Sequence, residues 1–543
     1  MIFRPQIILS LILFMLGCTS LPSLTQLTGP SPTATPPLSF ATPTVTAEVV
    51  PTLQPSPTIT LSPQITSTSP APQVELLDLS LYRQAMRPQF VDDVEQIAAT
   101  GASRYYIEAT LNFGAPNSNN QPKIIGSEQI HYTNKESVPL NEIVFRLYPN
   151  LPGYGGQMEI DAITIDEQTV KPTLEVGNAI LRVPLPTSLP PGEAIDINVS
   201  FEATIPTQTD EGYNIFSYTE GTAALAGFYP AIAVYDDEGW DREIPPTYGD
   251  ATYLDIALYQ VHLTVPTAMT VAASGSLIES QDNSDGTKTL TLATGPMRDF
   301  YIAMAEDFQV ASQVVDGITV NSYFPPDLAE GGQAALRYAV DALALFNQRF
   351  GPYPYAEFDV VATPTTAGGV EYPGIVVIAE GLYGQQGGFF EHATVHEVAH
   401  QWWYGLVGND QIDAPWLDES LTNYSAALYW EEVHGTEIGA QVIDSFFEEP
   451  YEAARENGGD RAITGSVSEY TEAQYGAIIY GKGPLFFNAL RQELGDELYF
   501  EIMQTYLARY KYKNATQQNL IETLEQTSDQ NIASLLETWL ETR

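Results

Sequence analysis

The spacing of apolar and polar residues changes three times along this 543-residue chain and divides it into four parts. An apolar run covers 7–16, with Arg4 the only charged side chain before it. It is too short to span a bilayer comfortably and suits the core of a secretory signal. From Thr19 to about Gln73 the chain is mostly proline, threonine and serine. That composition buries too little apolar surface to fold, so it predicts an extended tether, with structure starting near Leu77. Between about 105 and 308, apolar and polar residues alternate in short segments such as 128–132, 142–147, 194–201 and 260–265, separated by Pro, Gly and Asn turns. Alternation of period two predicts strands. Beyond about 309 the period lengthens. A helix is expected over 334–350, stopped by Gly351-Pro352, then a strand over 358–363 and an inner or edge strand over 368–379. Helices dominate from Phe389 onward, and no internal repeat is visible.

The expected fold class is therefore α+β, with a β-rich, sandwich- or saddle-like domain over 77–308 and a mostly helical domain over 309–543. Hydrophobic residues make up 44% and aromatics 11% of the chain, enough for two substantial cores. The 22 basic and 68 acidic residues leave a formal charge of −46, which argues against nucleic acid as a partner and for a well-solvated surface. Cys18 is the only cysteine, so the folded part holds no disulfide. It ends the stretch Met15-Leu16-Gly17-Cys18, which resembles a bacterial lipobox. The resemblance implies a lipoprotein signal peptide over 1–18 ending at the lipobox cysteine, Cys18 lipidated as the mature N-terminus, and a tether over 19–76 holding the protein outside the cytoplasm on a membrane anchor. A plain signal peptide is the alternative.

The densest chemistry lies in His396-Glu397-Val398-Ala399-His400, followed by Glu419; three of the six histidines fall between 392 and 400. Two histidines four apart on a helix project from one face, about a turn apart, and can close on one metal ion. One Zn2+ per chain, held by His396, His400 and Glu419, would keep a fourth position for water, with Glu397 as the base for that water. His392 lies one turn earlier and is read as a helix residue outside the ligand set. His131 and His262 stand alone in strand patterns and read as structural, and Trp402 and Trp403 as core.

Further motifs accompany this one: Gly368-Gly369-Val370-Glu371-Tyr372 upstream and Tyr480-Gly481-Lys482-Gly483 downstream. Together with HEVAHQWWYG and WLDES they resemble the aminopeptidase N family of gluzincin zinc metallopeptidases, over most of 100–543. Phe350-Gly351-Pro352-Tyr353-Pro354-Tyr355 and Tyr148-Pro149-Asn150 are smaller echoes. The family's GxMEN motif is matched at Gly368, Gly369 and Glu371, with Val370 for Met and Tyr372 for Asn. Its YxKG motif is matched at Tyr480, Lys482 and Gly483. The resemblance implies a thermolysin-like catalytic domain and hydrolysis of N-terminal residues from peptides. It also implies roles: Glu397 as general base, Tyr480 stabilising the oxyanion, Glu371 pairing with the substrate's α-ammonium, and Gly368 and Gly369 admitting an extended peptide. Tyr475 is an alternative to Tyr480, and Lys482 is expected to support the local structure. The family's second amine-binding residue, from a TQxEP-like stretch of the β-rich domain, has no match here; the comparable region is Gly227-Phe228-Tyr229-Pro230. The large C-terminal helical domain of many members is also missing, which implies a more open site. Two other readings stay open: a zinc endopeptidase, if Glu371 does not face the site, and a lipoprotein binding module without turnover. Asp413 and Asp418 lie near the ligands in sequence, and oligomeric state is undetermined.

Overall fold

The computed structural model describes residues 78–541 apart from 115–120, 208–211, 386 and 529–531. The apolar run, Cys18 and the proline-rich tether lie outside the described residues, and 71–543 forms one compact unit. No helix among the described residues is long and apolar enough to cross a membrane.

Three larger sheets and a two-stranded ribbon, Tyr235–Asp236 with Gly239–Trp240, occupy the first half. The largest has eight strands, in the spatial order Ser276–Asp282, Thr287–Ala293, Ala257–Pro266, Ser103–Asn112, Lys123–Thr133, Ala194–Thr204, Gln157–Ile165 and Gln168–Thr169. Ser103–Asn112 and Ala257–Pro266 run parallel, whereas Lys123–Thr133 is antiparallel to both its neighbours. The alternation seen in the sequence becomes burial: Ile195, Ile197, Val199, Phe201 and Ala203 all point inward from one strand. Two four-stranded sheets share this core, to which Phe145, Phe216, Tyr229 and Ile302 contribute. Phe228 and Tyr229 of the Gly227–Pro230 region are fully buried here and belong to packing.

In the second half, β1 (Gln309–Val315), β2 (Ile318–Phe324), β3 (Glu357–Thr363), β4 (Gly369–Tyr372) and β5 (Ile375–Ala379) form a five-stranded sheet in the order β1-β2-β3-β5-β4. Helix α1 (Ala329–Arg349) packs on β1 and β2 and stops before Gly351. The single strand expected over 368–379 is a hairpin instead. Pro373 and Gly374 reverse the chain, with Gly374 at φ +80°, and β4 pairs antiparallel to β5 as the free edge. Proline followed by glycine suits the two central positions of a turn that needs a positive φ at the second. The residues before the first sheet also join this half: Tyr82, Met86 and Val94 enter the helical core, and Arg87 donates to the Tyr353 and Asp316 carbonyls.

Helix α2 (Phe389–Ala399) crosses behind β4 and β5 and is buried on all sides from Phe390 onward, its polar Glu391, His392, Thr394, His396 and Glu397 included. A wide turn at Trp416–Ser420 leads into α3 (Leu421–His434), also buried through Trp430. The zinc motif and Glu419 thus sit on two neighbouring helices beneath a sheet edge.

Candidate metal centre and active site

His396 and His400 lie on the last turn of α2 and its cap, and Glu419 on the turn opening α3. His396 Nε2 is 3.1 Å from Glu419 Oε2 and 3.1 Å from His400 Nε2; His400 Nε2 is 3.5 Å from Glu419 Oε2. A tetrahedral zinc with ligands at about 2.0–2.1 Å requires donor–donor distances of about 3.3–3.4 Å. The three donor separations lie within about 0.3 Å of that requirement, and all three residues are buried.

The other face of each ring is also held. His400 Nδ1 is 3.0 Å from the Trp403 carbonyl, which fixes the N–H there and leaves the Nε2 lone pair facing Glu419. His396 Nδ1 faces Asn423 Oδ1 at 3.3 Å. The same oxygen accepts from His392 Nε2 at 2.9 Å, while Asn423 Nδ2 donates to the Tyr480 carbonyl at 2.8 Å. His392 is therefore bound outside the ligand set. Asn423 stands one turn after Glu419, a spacing visible in the sequence. Asn423→Ala is expected to weaken zinc binding about 10- to 100-fold, measured by competition with a chromophoric chelator. Asn423→Asp keeps the acceptor and should keep most of the affinity; equal affinity in the alanine variant would remove Asn423 from this role.

The electrostatics call for a cation. Burial pushes the Glu397 carboxyl well above its ordinary range, only partly offset by His400. Burial alone would lower His400, but Glu371, Glu419 and Glu397 around it drive it well above the imidazole range. Burial opposes ionisation of Glu419 as well, yet His400 and His396 hold it well below the carboxylate range. A divalent ion among two imidazoles and these acids relieves the cost of burying so much like charge.

Glu371 reaches the site from β4: its carboxylate, that of Glu397 and a ring nitrogen of His400 lie within 4.8 Å of one another. Gly369 is in contact range of the base, since a Cβ there would fall 2.5 Å from Glu397 Cγ and Oε1. Tyr480 sits with its ring centroid 5.9 Å from that of His396, and burial together with the charge of Glu419 drives its hydroxyl well above the ordinary range. Tyr475 packs edge-on to Tyr480 at 5.8 Å. Lys482 is turned away, buried against Asp460 and the Arg461 carbonyl.

Gln411 and Asp250 have no signal in the sequence pattern, whereas Asp418 stands next to Glu419 in the sequence. Gln411 Nε2 donates to Glu371 and to Asp418, at 2.8 Å each, and so fixes the Glu371 carboxylate. Asp418, raised to about 7 by burial and by Glu419, thus acts through Gln411. Asp250 comes from the β-rich half, where burial and the charges of Glu371 and Glu419 raise its carboxyl well above the ordinary range. Only the tertiary fold brings these loops together.

The sequence over 334–539 matches the model of the peptidase family M1 domain. Among curated relatives, Aminopeptidase M1 of Arabidopsis thaliana is 27% identical over 300 residues, 52% of this chain and 34% of that protein. Aminopeptidase M1-C of Oryza sativa subsp. japonica is 26% identical over 410 residues, 70% of this chain and 44% of its own. Aminopeptidase N of Lactococcus lactis subsp. lactis is 30% identical over 158 residues, 27% and 18% of the two chains. The chain thus spans less than half the length of these relatives. In structure it resembles the M1 zinc metallopeptidase from Deinococcus radiodurans, with a TM-score of 0.60 at 20% identity over 81% of this chain and 93% of that one. A mutant of that enzyme has been crystallised with a Tyr-Ser-Ala substrate. The β-rich sheets followed by a helical catalytic region agree with that two-domain fold.

Proposed function

We propose that the protein is a zinc-dependent aminopeptidase that removes N-terminal residues from peptides. The observation that carries this reading is the position of Glu371, an acid fixed on the free sheet edge within 4.8 Å of Glu397 and of a ligand histidine. An acid at that distance receives an α-ammonium only when the first peptide bond lies at the metal. The charge of Glu371 acts on Asp250, so an arriving ammonium would find an acidic pocket.

Zinc, when bound, supplies a Lewis acid that polarises the carbonyl and makes water a nucleophile near neutral pH. The chain's own groups do the rest. Glu397 takes a proton from the attacking water and passes it to the departing amine. The Tyr480 hydroxyl donates to the oxygen on which negative charge develops. The free edge of β4, half-buried at Gly369 and Val370, offers backbone partners to an extended peptide. Gln411 holds Glu371 in place while these events occur.

The test is hydrolysis of paired peptides, one with a free and one with an acetylated N-terminus, by the zinc-loaded protein. Cleavage of the free peptide alone is expected. Equal cleavage of both identifies an endopeptidase and ends the assignment of Glu371; binding of zinc without any cleavage ends the enzymatic reading. The lipobox-like Met15-Leu16-Gly17-Cys18 supports placing this activity outside the cytoplasm on a lipid anchor. Retention of a Cys18→Ser protein in the membrane fraction would sink that placement.

A further inference from the structure

The helix face that carries the first metal ligand continues toward the start of α2 as a strip of rings. Phe389, His392 and His396 stand at i, i+3 and i+7, one above another on one face. The buried His392 stacks on Phe446, with centroids 4.6 Å and planes 8° apart. Phe446, itself partly exposed, lies nearly parallel to Phe389 at 6.4 Å. Phe389 is 37% exposed, although every residue of α2 after it is buried. Core packing does not explain an open phenylalanine at that point.

Its position along β4 does. A Cβ at Gly368 would come 3.3 Å from Phe389 Cζ, and a Cβ at Gly369 would come 2.5 Å from Glu397 Oε1. The order Glu371, Gly369, Gly368 along the strand is therefore the order amine-facing acid, general base, open ring. A peptide laid on this edge with its ammonium at Glu371 has its first bond beside Glu397. The strand rise of about 3.3 Å per residue then carries the next residue toward Phe389.

We propose that Phe389 and Phe446 form a shelf for the side chain of the second residue of the peptide, the one just after the cleaved bond, and that the enzyme selects an aromatic or large aliphatic group there. This inference rests on the aminopeptidase reading. The shelf is apolar, open to solvent without a peptide, and backed by the stacked His392, so a ring placed on it loses water from both surfaces. A hydroxyl or carboxylate there loses its hydration without a partner on the shelf.

The experiment compares Ala-Phe-Ala and Ala-Ser-Ala as substrates of the zinc-loaded full protein, of Phe389→Ala and of Phe389→Leu. Binding of both peptides to zinc-loaded Glu397→Gln protein, with and without Phe389→Ala, is measured by calorimetry. The expected result is a kcat/KM roughly 10- to 100-fold higher for Ala-Phe-Ala, from the burial of one large side chain. Phe389→Ala should bring the ratio within a few-fold of one, and Phe389→Leu should keep most of it. Equal rates for the two peptides in the unaltered protein, or an undiminished ratio in Phe389→Ala, overturns the shelf. If neither peptide is cleaved, tighter and Phe389-dependent binding of Ala-Phe-Ala upholds the shelf and overturns the hydrolase reading. Equal or absent binding without cleavage overturns both.

Discussion

Glu397→Gln is expected to lower kcat by about 10²–10⁴-fold while zinc content and KM stay near their original values. Glutamine preserves the volume of the side chain and its place against Gly369, but it takes no proton from water. Metal analysis is therefore the necessary companion measurement. A loss of zinc in step with activity would mean that the carboxylate acts on the metal instead of on the proton. Gly369→Ala supplies an independent route to the same step. Its new Cβ would stand 2.5 Å from the Glu397 carboxylate, so the base must move by several tenths of an ångström or more. Displacement on the scale of 1 Å is enough for a loss of about 100-fold. Gly368→Ala meets only the Phe389 ring, at 3.3 Å, and is the milder neighbour. The expected order of kcat is thus Gly368→Ala above Gly369→Ala above Glu397→Gln. A Gly369→Ala protein with full kcat would show that β4 does not confine the base.

The parts of the site that were legible in the sequence are those encoded by local spacing. His396 and His400 are one helical turn apart, so their convergence follows from the helix alone. Glu419 required only that a second helix begin close by, which Trp416–Ser420 and α3 supply. Glu371 and Tyr480 were reached through resemblance, and the fold brings both to the same metal centre. Alternation also located the strands, yet it gave no warning about Glu128. That residue shares the inward face of Lys123–Thr133 with Ile130 and Tyr132, and burial drives its carboxyl well above the ordinary range. The hairpin of β4 and β5 was misread because both strands are apolar enough to look continuous, while Pro373-Gly374 carried the reversal. Gln411 and Asp250 were invisible for a different reason. Each lies in a loop whose position depends on contacts distant in sequence, and a polar residue in a loop has no period to betray its role.

Arg298→Met is expected to destabilise the fold by about 3–5 kcal/mol and to weaken zinc binding, although Arg298 touches neither metal ligand nor substrate. The guanidinium is buried and makes no ion pair among the described residues. It donates instead to the Tyr404 carbonyl at 2.7 Å, the Leu254 carbonyl at 2.9 Å, Asn514 Oδ1 at 2.6 Å and the Lys513 carbonyl at 3.3 Å. Methionine fills similar volume but leaves these acceptors without donors, at about 1–3 kcal/mol for each one that stays dry. The contacts join the β-rich half at 254 and 298, the loop after the zinc helix at 404, and the segment near the C-terminal helices at 513–514. The link to the metal is short. Tyr404 holds an unusual positive φ of 136°, and the carbonyl just before it, that of Trp403, fixes His400 Nδ1. A backbone strained in this way persists only while its surroundings hold it, and Arg298 is among the groups that do so. Gly408 leaves room for the clamp, because a Cβ there would meet the guanidinium at 2.2 Å. Urea unfolding measures the first effect and chelator competition the second. If the variant loses stability but binds zinc as tightly as before, the clamp serves the junction of the two halves alone; if both fall together, the junction is what keeps the second histidine in place.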